Sequence, residues 1–339
     1  MTRTRVILIL AVFVIVVLAW TRVGMLNLPP VPGGVTTDVA GLAKLAEFRQ
    51  LDELVRRSPD PRDALRSDIP AGFSPPAWFV RGGLGLTVAG ADPEAGLRLM
   101  REGIQKDPRS LVLGNAYRMV VFQLRLDQLM ADKREGRLSV VFPPYLKDQP
   151  LAFLEELVKA HPCRETKLQL ALAWVDQMLL FPALEIKAPA SVEAVKILDE
   201  TLKAEPSYVP ALYARGLNHL HRPARLVWPE ADKVPPDAAV RDLGLCVAIG
   251  RRVGAGSERL KATMAVALGD GYVKAGRNNL ARSWWQIAQN LCGDADIQET
   301  VRRRYAWPDE DILDELEAEL DRARGALDRP MTDLAFMWN

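Results

Sequence analysis

The chain reads as an all-α protein, and three observations carry that reading. From Val39 onward its apolar residues recur at helical rather than strand spacing. No phosphate-loop pattern and no series of apolar strands alternating with helices is visible, so a dinucleotide fold has little support. Proline or glycine stands where one amphipathic run ends and the next begins, notably at Pro108, Pro206 and Gly276. With 339 residues, 49% of them hydrophobic and 26% charged, the chain is long and apolar enough for one large or two ordinary folded domains.

The first element is VILILAVFVIVVLAW over residues 6–20. These residues span about 22 Å as a helix, against about 30 Å of hydrocarbon. Residues 21–28 add only Arg22 as a charge, and that side chain can snorkel, so a transmembrane signal-anchor is expected over 1–28. Arg3 and Arg5 leave the N-terminus cytoplasmic by the positive-inside rule. The expected place is the bacterial inner membrane, single-pass, with a periplasmic C-terminal body and bilayer contact through residues 6–28. The alternative is a signal peptide cleaved after Val17-Leu18-Ala19. The Pro/Gly-rich stretch 29–39 reads as a stalk, residues 40–307 as a helical-repeat domain, and 308–339 as a capping helix with an apolar tail.

Within the body, Leu42, Leu45, Phe48, Leu51, Leu54 and Val55 form one broad stripe of an amphipathic helix. In LGDGYVKAGRNNLARSWWQIAQ, Leu268, Gly269 and Tyr272 lie on one helix, Gly276 ends it, and Ala281, Trp285 and Ala288 lie on the next. Small residues let the two helices approach, and Tyr272 and Trp285 fill the space between them. This spacing resembles the tetratricopeptide repeat, with a unit over 262–295 in which Ala265 stands where the pattern favours Trp and Gly293 replaces the terminal proline. Two weaker copies carry Ala194, Leu198, Thr201 and Pro206, and Gly96, Met100, Gly103 and Pro108. The resemblance implies a helical-hairpin solenoid that binds proteins without catalysis. Two proline-rich insertions, HRPARLVWPEADKVPPDAAV and VVFPPYLKDQP, read either as binding loops or as connectors. After Trp307-Pro308-Asp309, Ile312, Leu316, Leu320, Ala323 and Leu327 make the stripe of a helix that caps the last repeat.

The charge excludes as much as it suggests. A net +1 from 44 basic and 43 acidic residues offers no field for nucleic acid. Cys163, Cys246 and Cys292 are scattered, and His161, His219 and His221 lack zinc-motif spacing, so no metal, cofactor or catalytic set is expected. Asp270 and Lys274, four apart on one helix, form either an ion pair or part of a concave binding face, and Arg215 and Asn218 belong with the second reading. Trp285 has core spacing. Trp284 points about 100° away, toward a neighbouring repeat or a partner. Phe336 and Trp338 end a tail that either tucks back or docks. Together these features predict a membrane-anchored, periplasm-facing scaffold whose partners are other membrane or periplasmic proteins, as an accessory subunit or assembly factor. The alternatives are an envelope enzyme with a helical active site and a purely structural single-span subunit.

Overall fold

The computed structural model describes residues 28–31, 83, 92–136, 142–147, 149–180, 184–223, 233–253 and 257–325. All regular structure among them is helical, in twelve elements: α1 (Pro93–Lys106), α2 (Leu111–Arg134), α3 (Pro144–Lys147), α4 (Gln149–Ala160), α5 (Arg164–Leu180), α6 (Leu184–Ala204), α7 (Val209–His221), α8 (Ala238–Val253), α9 (Glu258–Lys274), α10 (Asn278–Leu291), α11 (Ala295–Tyr305) and α12 (Ile312–Gly325). Two compact units divide the described chain. One holds residues 28–31 and 219–318, and the other holds 92–218 and 319–325 with Gly83; the division falls inside α7 and inside α12.

Local chemistry starts these helices. Asp92 accepts the Ala95 N–H at 2.9 Å, with Pro93 in the first turn of α1 and Glu94 beside the positive end of its dipole. Ser110, Ser257 and Asp294 cap α2, α9 and α11 in the same way. Pro108 and Pro206 lie in the breaks before α2 and α7.

In the unit built on α1–α6, α1 packs on α2, α2 on α5, α4 on α5 and α5 on α6. Leu97, Met100, Leu113, Tyr117, Leu154, Leu168, Ala194 and Leu198 form its interior. The proline-rich stretch around Pro143 is a connector folded onto this unit. Phe142 and Leu146 are buried, and Arg125 donates from Nε to the Leu146 carbonyl at 2.7 Å and from Nη2 to the Lys147 carbonyl at 2.5 Å. Much of the other insertion, residues 224–232, lies outside the described residues.

In the second unit, α8 packs on α9, α9 on α10 and α10 on α11. The α9–α10 hairpin has the expected form. Gly276 turns the chain at φ +69°, a conformation that costs an L side chain about 1–2 kcal/mol. A Cβ at Gly269 would lie 2.5 Å from the Trp285 ring, so the glycine permits the close approach that the small-residue pattern predicts. Ala295 begins a further helix, α11, and the helix expected after Trp307 begins at Ile312, past a turn in which the Asp311 N–H bonds the Pro308 carbonyl. Ile312, Leu316 and Leu320 are buried as their stripe requires.

The membrane expectations are corrected. Among the described residues no helix is long and apolar enough to cross a membrane. The longest, α2, carries Arg118, Arg125, Asp127, Asp132, Lys133 and Arg134. The apolar run 6–20 lies outside the described residues. Of the stretch 28–31, Pro29 packs on α8: a Cβ at Gly244 would come within 3.0 Å of its Cδ. With no membrane-spanning helix among the described residues, the expected N-terminal transmembrane helix, bilayer contact through residues 6–28, the signal-anchor, the single-pass inner-membrane placement with a periplasmic body, and the role as a membrane-anchored subunit or assembly factor among membrane or periplasmic proteins are overturned. The expected stripe 42–55 also lies outside the described residues.

Candidate functional site

The residues singled out in the sequence are mostly engaged within their own units. Asp270 is buried on α9 and does not pair with Lys274. Its Oδ1 accepts the Trp285 Nε1–H at 3.0 Å and the Arg304 Nε–H at 2.7 Å, while Oδ2 accepts from Arg304 Nη2 at 2.7 Å. Arg304 lies over the Trp307 ring at 5.4 Å, and the Trp285 ring meets Trp307 and Tyr305 edge-on at 6.0 and 6.2 Å. This bidentate pair locks α9, α10 and α11 together, with the carboxylate satisfied on both oxygens.

Lys274 turns the other way, donating to the Arg222 carbonyl and forming an ion pair with Glu317 at 2.8 Å. Trp284 is buried, with the Arg251 guanidinium of α8 5.3 Å from its ring, so it serves as a contact with that helix. In the other unit, Arg215 pairs with Asp199 at 2.6 Å, and Asn218 is buried with its Oδ1 accepting from the Ser191 hydroxyl at 2.9 Å. Phe336 and Trp338 lie outside the described residues.

Sequence reasoning also missed a buried polar centre on α2. Arg118 donates to Gln169 at 2.7 Å, to Asp176 at 2.8 Å and to Asn115 at 3.2 Å, tying α2 to α5. Tyr117 beside it is buried, and burial pushes its phenol up to about 12 despite the nearby Arg101 and Arg125 charges. The missed signal was local. Arg118 and Arg125 stand seven apart, on one face of a run otherwise rich in Leu, Val, Met and Phe.

An open cleft of about 320 Å³ lies where three helix ends of the same unit meet. Arg109 comes from the break between α1 and α2. Pro162 and Cys163 lead into α5, whose first turn supplies Arg164, Glu165 and Lys167; Thr201 and Ala204 lie in the last turn of α6, and Glu205 follows it. Arg164 organises it, donating to Glu165 at 2.6 Å and to Glu205 at 2.6 Å with its guanidinium 4.8 Å from the Tyr208 ring centre. Burial opposes the charge of Arg164, but its bonds to the two carboxylates outweigh that and hold its pKa above the ordinary value. Thr166 fixes the turn below by donating to the His161 and Cys163 carbonyls at 2.6 and 2.9 Å.

Two cations in this cleft are unspent: among the described residues, the Arg109 and Lys167 side chains have no hydrogen bond or ion pair. Arg109 is exposed and Lys167 half-buried. Behind Arg164, the buried Tyr208 hydroxyl has no partner among the described residues, and burial raises its phenol well above the usual range. The site is thus built to recognise charge. No group of three His, Cys, Asp or Glu side chains able to hold a metal occurs among the described residues.

No family model matches the chain. No curated protein matches it either. Among solved structures, it is similar to a thermophilic TPR protein of Thermus thermophilus, at 18% identity and a TM-score of 0.41, over 66% of this chain and 96% of that one.

Proposed function

We propose that this protein works by binding other proteins, without catalysis, and that the cleft formed by Arg109, the start of α5 and the end of α6 is its contact. The observation that carries this reading is the pair of uncommitted cations, Arg109 and Lys167, in a cleft whose other charged groups, Arg164, Glu165 and Glu205, are paired with one another. Solvent-accessible charges of this kind select partners and speed their encounter more than they add affinity. Consecutive packed hairpins supply a rigid mount for such a contact. The two carboxylates at the site, Glu165 and Glu205, are both held by one guanidinium, an arrangement suited to shaping a surface rather than to moving protons.

The test is affinity capture from source-cell extract on the immobilised full chain, wild type against Arg109→Glu/Lys167→Glu, with helicity checked by circular dichroism. A protein recovered by the wild type and lost from the equally helical variant is the expected result. Recovery of nothing above an unrelated helical control sinks the protein-binding reading, and equal recovery by both forms moves the contact away from the cleft.

A further inference from the structure

The chemistry of the cleft specifies its occupant more closely than protein binding alone, and the following rests on that reading. Arg109 and Lys167 offer N–H donors and positive charge with nothing to receive them. In the same cleft, Glu165 and Glu205 each give one oxygen to Arg164, leaving acceptor capacity on carboxylates that repel a second anion. A ligand that matches both sets therefore brings a negative group together with N–H donors. Free phosphate or a small polycarboxylate carries its negative charge on every side, and meets both glutamates. An extended peptide with one Asp or Glu brings the carboxylate together with backbone N–H groups. The site's volume of about 320 Å³ lies at the small end of ligand pockets, which suits one side chain and its adjoining backbone rather than a long segment.

We infer that the Arg109–Lys167 cleft takes a single acidic side chain from an extended segment of a partner protein, with the segment's backbone amides directed at Glu165 and Glu205. Cys163 lines the same cleft and is half-buried, so its alkylation reports occupancy; Cys292, half-buried and outside the cleft, is the internal control.

The experiment uses the full chain and three seven-residue Gly/Ser peptides with a central Asp, Asn or Arg. The rate of iodoacetamide modification at Cys163 and Cys292 is followed by mass spectrometry as each peptide is added. The Asp peptide is expected to slow Cys163 alone, with an apparent Kd about tenfold tighter than for the Asn peptide, and the Arg peptide to give no protection. Arg109→Ala/Lys167→Ala abolishes the protection, whereas Arg109→Lys retains most of it. Equal protection by the Asn peptide, protection by citrate or phosphate matching that of the Asp peptide, or protection surviving in the double alanine variant would overturn the inference. Loss of Asp-peptide protection with differential partner capture intact removes this inference and leaves the protein-binding reading; absence of any captured partner removes that reading instead.

Discussion

Trp285 carries more of the α9–α10 hairpin than its size alone accounts for. Its ring fills the space left by Gly269, meets Tyr305 and Trp307 edge-on, and donates its indole N–H to Asp270. Trp285→Ala opens a cavity and unpairs part of that carboxylate, so a loss of about 3–5 kcal/mol is expected in urea unfolding; an unchanged midpoint would place the ring outside the core. The Asp270–Arg304 pair follows a different rule. Asp270→Ala strands a buried guanidinium and costs about 3–5 kcal/mol, whereas replacing both members, as Asp270→Leu/Arg304→Met, recovers part of that loss, the Trp285 indole N–H remaining without its acceptor. A double variant as unstable as the sum of the single ones would show that the pair is net stabilising over an apolar substitute.

At the scale of the element, helix starts are written locally and can be tested locally. The Ser257 hydroxyl accepts the Leu260 N–H at 3.1 Å and is the N-cap of α9. Ser257→Ala is expected to cost about 1 kcal/mol and Ser257→Asp to restore it, read from thermal midpoints; equal midpoints for all three would remove the cap from the account. The α3 connector shows tertiary override of a loop signal. FPPYLKDQP is punctuated like an exposed turn, yet Phe142 and Leu146 are buried because Arg125, already inside the unit, needs the carbonyls of Leu146 and Lys147.

For the whole molecule, buried phenols tie stability to alkaline pH. Tyr117 is raised to about 12 by burial, and Tyr208 is raised well above 10 by the same cause. Below about pH 10 both are protonated whether folded or unfolded, and neither makes stability depend on pH. Between about pH 10 and 12 the unfolded chain has lost the Tyr117 proton and the folded one has kept it. The unfolded state then binds fewer protons, so stability falls as pH rises, by roughly 1.4 kcal/mol per pH unit for each phenol. Urea titrations of wild type and Tyr117→Phe at about pH 9 and about pH 11 should show a smaller alkaline loss in the variant; parallel losses would take Tyr117 out of this linkage.

What the sequence determined by itself was local: helical class, the α9–α10 hairpin closing at Gly276, Trp285 as a packing residue, and helix breaks at Pro108 and Pro206. These depend on periodicity, caps and backbone freedom within a few residues. Tertiary structure decided which charges are surface and which are interior. Asp270 meets Arg304 from two helices further on, Arg118 meets Asp176 from α5, and Lys274 meets Glu317 from α12, so no i,i+4 rule identifies these partners. The cleft was illegible for the same reason: Arg109, Lys167 and Glu205 belong to separate sequence runs, each of which reads alone as an ordinary solvated helix end. A charged side chain signals its own type in the sequence, but its burial and its counter-charge are properties of the packing that brings distant elements together.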